Sequence, residues 1–66
     1  MLYLNDYLRE FTPMPETIEQ LLIQLSLEKK RLIIEHNGTV ILPDQYDATL
    51  LTDRDRIEII HFVGGG

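Results

Sequence analysis

The chain has 66 residues, 44% of them apolar, and carries 6 Lys or Arg against 11 Asp or Glu, a net charge of −5. That length holds one domain. The acidic balance disfavours nucleic acid and anionic membrane as partners, and the lack of Cys removes disulfides, thiolate zinc sites, a catalytic thiol and a persulfide held on a side chain.

No apolar run approaches the roughly 20 residues of a bilayer span, and the first ten residues lack the basic-then-apolar order of a signal peptide. A cytoplasmic protein is therefore expected. The apolar set is mostly Leu and Ile, with a single Ala. That suits branched residues on strands better than a close-packed helical bundle. A core this small leaves no room for a deep pocket with catalytic walls. The chain is expected to enter chemistry as a substrate or carrier and not as an enzyme.

In chain order, Leu2, Tyr3, Leu4 and Asn5 alternate as a short strand, Asn5-Asp6 is a tight turn, and residues 7–11 return. Pro13 and Pro15 make the next stretch irregular. Thr17 and Gln20 have capping-box spacing, and Ile18, Leu21, Leu22 and Leu25 form one apolar stripe. The expected helix is nine to eleven residues long, with Lys29, Lys30 and Arg31 supplying positive charge just past its last turn. Residues 32–36 form a strand, Asn37-Gly38 is the strongest hairpin turn in the chain, and residues 39–42 return beside it. Residues 44–47 read as a turn or one helical turn, and residues 49–51 as a brief strand. Asp53, Arg54 and Asp55 form a polar turn before the last strand, 56–63.

One helix over a sheet of four or five strands is an α+β layer architecture. The last strand is expected at the centre of the sheet, because its residues are nearly all apolar. Glu58 marks its solvent side, so Ile57 and Ile59 face the helix while Ile60 and Phe62 face outward. Arg31 and Glu35 place Ile33 on the same outer side. If the two strands are neighbours, Ile33, Ile60 and Phe62 form an apolar patch suited to a partner.

Gly64, Gly65 and Gly66 follow an apolar strand. Glycine there has no packing or helix-capping role, but it makes a thin thread that fits a narrow channel. Four residues past Phe62 reach at most about 13–14 Å. A terminal carboxylate is a poor electrophile until it is adenylated. An amine or a sulfur donor can then displace AMP, and the spacing does not choose between them. The bland alternative is a frayed end.

Other groupings are thinner. His36 and His61 lack a third ligand for a metal. Asp44, Asp47, Asp53 and Asp55 lack calcium-loop spacing and read as turn formers. Tyr3, Tyr7 and Tyr46 read as partly buried residues whose hydroxyls reach water.

Several segments resemble the sulfur carrier protein family of thiamine biosynthesis. They are Leu2-Tyr3-Leu4-Asn5, Thr17-Ile18-Glu19-Gln20-Leu21-Leu22, Glu35-His36-Asn37-Gly38-Thr39-Val40-Ile41, Asp53-Arg54-Asp55-Arg56-Ile57 and the ending Phe62-Val63-Gly64-Gly65-Gly66. The resemblance implies a ubiquitin-like β-grasp fold over residues 1–63 with a flexible tail at 64–66. It further implies that Gly66 is adenylated by an ATP-dependent activating enzyme of the E1 type and becomes a thiocarboxylate, with sulfur arriving from cysteine through a desulfurase. Thiazole synthase would then take the sulfur. Gly64 and Gly65 would form the thread, Phe62, Val63, Ile60 and Ile33 would dock both enzymes, and no cofactor would be bound. The family often has Gly where this chain has Asp6 and Arg54, so those turns are expected to adopt another geometry. The alternatives are a molybdopterin synthase small subunit, a ubiquitin-like modifier and a passive interaction domain.

Overall fold

A computed structural model describes residues 1–62 of the chain. Strands β1 (Leu2–Leu4) and β2 (Tyr7–Arg9) form a hairpin, helix α1 (Ile18–Gln24) follows, and β3 (Leu32–His36) and β4 (Thr39–Ile41) form a second hairpin. A short 3-10 turn (Pro43–Gln45) and a loop lead to β5 (Arg56–His61). The sheet order is β2-β1-β5-β3-β4. β5 lies at the centre as expected, parallel to β1 and antiparallel to β3. This is the ubiquitin-like β-grasp arrangement, with the helix over one face.

Both hairpins turn through two residues of positive φ, Asn5 and Asp6 in the first and Asn37 and Gly38 in the second. Such turns match the right-handed twist of the flanking strands. Arg54 also has positive φ. Asp6 and Arg54 therefore keep the left-handed geometry usual for Gly, contrary to expectation. Pairing outweighs the local steric cost: the Arg54 N–H donates to the Met1 carbonyl at 2.6 Å, and Asp6 sits where β1 must reverse into β2.

The helix begins as the sequence predicts. Thr17 caps it, accepting from the Gln20 N–H at 3.1 Å, while the Gln20 side chain accepts from the Glu16 N–H at 3.1 Å. It is seven residues long, shorter than expected, because Ser26 turns left-handed with φ 58°. The Ser26 N–H donates to the Ile23 carbonyl and the Leu27 N–H to the Leu22 carbonyl, which is a Schellman termination. Lys29, Lys30 and Arg31 consequently lie beyond the helix and do not cap it. Lys29 instead meets Glu19 at 2.6 Å.

Ile18, Leu21 and Leu22 of the helix pack on Leu2, Leu4, Leu32, Ile34, Ile57 and Ile59, with Leu51 and Tyr46 closing the layer. Residues 49–51 make only a single bridge, Leu50 to Thr17, and not a strand. Tyr46 is fully buried and its hydroxyl has no hydrogen-bond partner among the described residues, whereas Tyr7 is 76% exposed. Neither matches the expected half-buried tyrosine. Tyr46 is drawn in because the 3-10 turn carries its backbone against the helix, where the Glu19 N–H donates to the Tyr46 carbonyl. β2 and β5 are shorter than expected, ending at Arg9 and His61. Among the described residues no helix is long and apolar enough to cross a membrane.

Candidate functional site

The side chains of β5 alternate as the sequence requires: Ile57 and Ile59 are buried under the helix, while Glu58 and Ile60 face away from it. β3 does the same, burying Leu32 and Ile34 and turning Ile33 outward. The β3–β5 register sets Ile33 directly opposite Ile60 and Glu35 opposite Glu58. Phe62 follows β5 on the same face, and its N–H donates to the Arg31 carbonyl at 2.8 Å. Ile60 is 45% exposed and Phe62 56%. Ile33, Ile60 and Phe62 are thus brought together on the open face. Val63, Gly64, Gly65 and Gly66 lie outside the described residues.

Sequence reasoning missed one member of this face. The β3–β4 register pairs Ile34 with Ile41 and Glu35 with Val40. Continued by one residue, it sets Leu42 beside Ile33. Leu42 is as exposed as Phe62, so an apolar row Leu42-Ile33-Ile60 crosses three strands and ends near Phe62. A two-residue turn at Asn37-Gly38 fixes that register by itself, and the signal was therefore present in the sequence.

Charge borders the row on both sides. Glu35 and Glu58 face one another on the side toward Arg56, whose guanidinium lies 4.6 Å from the Tyr3 ring centre. On the side toward Phe62, a cleft of about 520 Å³ is lined by Leu27, Glu28, Lys30, Arg31, Leu32, His61 and Phe62. Three of the six cations of an acidic chain fall in the run 29–31, next to the point where the backbone leaves β5.

The two histidines are not brought together. His36 pairs with Ile57 and His61 with Leu32, four residues apart along β5. His36 Nε2 donates to Asp55 Oδ2 at 2.7 Å. Asp55 also accepts from the Thr52 N–H and hydroxyl and from the Asn37 side-chain amide. Burial pushes the Asp55 carboxyl up, but these donors outweigh it and hold the group well below the usual carboxylate range. The cluster fastens the second hairpin to the start of β5 and stands at the opposite end of that strand from Phe62. Among the described residues no three His, Asp or Glu side chains gather as a metal site.

The chain matches the model of the ThiS family over residues 2–66. It is 50% identical over 50 residues to the sulfur carrier protein ThiS of Bacillus subtilis, covering 76% of each chain. It is 38% identical over 50 residues to a thiazole synthase of Magnetococcus marinus, of which the match covers only 15%. The fold superposes on the crystal structure of a thiamine biosynthesis protein (ThiS) from Geobacter metallireducens with a TM-score of 0.82 and 28% identity, covering 98% of this chain and 97% of that one.

Proposed function

The chain belongs to the ThiS family, and on that premise we propose that it carries sulfur for thiamine thiazole synthesis as a protein co-substrate. The reactive group is the Gly66 carboxylate. An E1-like adenylyltransferase brings ATP; a carboxylate oxygen of Gly66 attacks the α-phosphorus and pyrophosphate leaves. The outer sulfur of a persulfide, loaded from cysteine by a desulfurase, then attacks the acyl carbon, and AMP leaves with the C–O bond electrons. A second thiol attacks the enzyme-side sulfur of the resulting acyl disulfide, taking it into a disulfide and releasing the thiocarboxylate with the S–S bond electrons. The thiocarboxylate so formed hands its sulfur to thiazole synthase. Gly64 and Gly65 thread the channel of each enzyme, and Val63, Phe62, Ile60 and Ile33 hold the body at its mouth. The reaction sequence belongs to the cytoplasm, where ATP and reduced sulfur are at hand.

The observation that carries this reading is the position of Phe62. β5 delivers the backbone from the middle of the sheet to the edge of an apolar row on the face the helix leaves open. A partner that grips this face also receives whatever follows residue 62. The reading draws its sulfur chemistry from the Bacillus and Geobacter relatives, and its acceptor from the Magnetococcus thiazole synthase, which contains a segment similar to this chain.

Intact mass tests it. Incubation with ATP, the activating enzyme and a sulfur source should give a species about 16 Da heavier, oxygen having been replaced by sulfur. Deletion of Gly66 should abolish the gain with the fold unchanged. A mass gain that survives the deletion refutes the tail chemistry, and larger conjugates would instead indicate a protein tag.

A further inference from the structure

Among the described residues, β5 has a short unpaired edge beside an apolar cleft. In an antiparallel pair, hydrogen-bonded and non-hydrogen-bonded residue pairs alternate. Asn37–Arg56 and Arg31–Phe62 are bonded across β3 and β5, so the pair Leu32–His61 between them in phase is not. The N–H and C=O of His61 therefore point away from β3, toward the side where β1 lies. The same phase holds lower on the strand. Tyr3 and Asn5 N–H donate to the carbonyls of Asp55 and Ile57 on that side. β1 stops at Leu4, and the chain turns back at Asn5 and Asp6.

The Asn5 side chain extends the pairing by one step. Its Oδ1 accepts from the Ile59 N–H at 2.8 Å and its Nδ2 donates to the Ile59 carbonyl at 3.3 Å. An amide side chain thus stands where the next residue of a longer β1 would be. At His61 no such substitute is present among the described residues. Beside it opens a cleft of about 480 Å³ between the first hairpin and the end of the helix, with Tyr7, Leu25, Leu27 and Ile59 among its walls.

We propose that this edge is a strand-addition site: an extended segment of thiazole synthase pairs its backbone with the His61 N–H and C=O and lays an apolar side chain into the cleft. The proposal rests on the sulfur-carrier reading and deepens it. A backbone donor and acceptor with an apolar floor alongside fit an extended peptide, whose main chain supplies affinity while its side chains supply selectivity. Thiazole synthase is the chosen occupant because a relative of this chain lies within the Magnetococcus enzyme. The edge also lies one residue before Phe62, so pairing there fixes the direction in which the backbone leaves β5.

The test uses the full-length chain and thiazole synthase. His61→Pro removes the N–H without removing a β3–β5 hydrogen bond, while His61→Val keeps it. The Pro variant should bind about fivefold or more weakly, fivefold being the middle of the range for one lost hydrogen bond, and the Val variant should bind within twofold of the parent. In the parent complex the His61 amide should gain protection from hydrogen exchange, and Tyr7→Asp should weaken binding with an unchanged melting temperature. Equal affinity of the Pro variant and the parent, equal losses in the Pro and Val variants, or an unprotected His61 amide in the complex each overturn the edge pairing and leave the carrier function standing. A parent chain that neither binds thiazole synthase nor passes sulfur to it overturns both.

Discussion

Asp55 joins segments that lie far apart in the chain. Its two carboxylate oxygens take four donors from His36, Asn37 and Thr52, and the Asn37 Oδ1 in turn accepts from the Arg56 N–H at 2.8 Å. Asp55→Asn should cost about 2 kcal/mol at neutral pH, since hydrogen bonds to a charged acceptor are lost or weakened. The sign of the pH dependence follows from the lowered carboxyl. Its contribution is fully present above the ordinary carboxylate range and disappears as pH falls through that range toward the folded value. Denaturant titrations from pH 6 to pH 2 should show the parent losing its advantage over the Asn variant. A gap that stays constant across the window would refute the assignment. Tyr46 makes the opposite case. Its buried hydroxyl lacks a partner among the described residues, so Tyr46→Phe should leave stability unchanged or raise it by up to about 1 kcal/mol, read as a thermal midpoint equal to or above that of the parent.

At the scale of elements, the helix is set by its two ends. The Thr17 cap and the stripe through Leu25 are legible because cap chemistry and helical period are written in side chains. The C-terminal end is not, because Ser26 takes a left-handed turn for which Gly is the usual marker. Ser26→Gly should therefore stabilise the chain by about 0.5–1 kcal/mol, measured by equilibrium unfolding; a loss of stability would mean that the Ser26 side chain matters in its own right. The sheet divides in the same way. Alternation in β3 and β5 reveals which of Ile33, Ile57, Ile59 and Ile60 face the helix, and the Asn37-Gly38 turn fixes the register that adds Leu42 to the open face. The stretch 49–51 was harder to read. Its backbone groups pair with residues around the start of α1, the Leu51 N–H donating to the Glu16 carbonyl and the Ile18 N–H to the Thr49 carbonyl, and a tertiary contact of that kind leaves no periodic mark. The Asp55 cluster was hidden for a related reason. Turn formers were expected at 53–55, but their meeting with His36 depends on which strands become neighbours.

For the molecule as a whole, the two faces of the sheet differ in cover. The helix covers one, and the other carries Leu42, Ile33 and Ile60 in a row near Phe62. Ile60→Asp should weaken binding to both the activating enzyme and thiazole synthase by tenfold or more, as a charge entering a desolvated contact does. Its melting temperature should stay within a few degrees of the parent, because Ile60 is outside the core. Calorimetric titration with each enzyme separately checks this, and unchanged binding to both would remove the open face from the docking surface. A shared face also requires the enzymes to take turns, so a saturating amount of one should block capture by the other. The central place of β5 has a further effect during translation. Neither hairpin touches the other through the sheet until the strand between them exists, and that strand is the last of the five to be made. A nascent chain halted ahead of Arg56 has at most two separate ribbons and a seven-residue helix too short to persist in isolation. Such an unfinished product has no mature body for an enzyme to grasp, so premature termination yields material for proteolysis and not a defective donor that competes with the intact one.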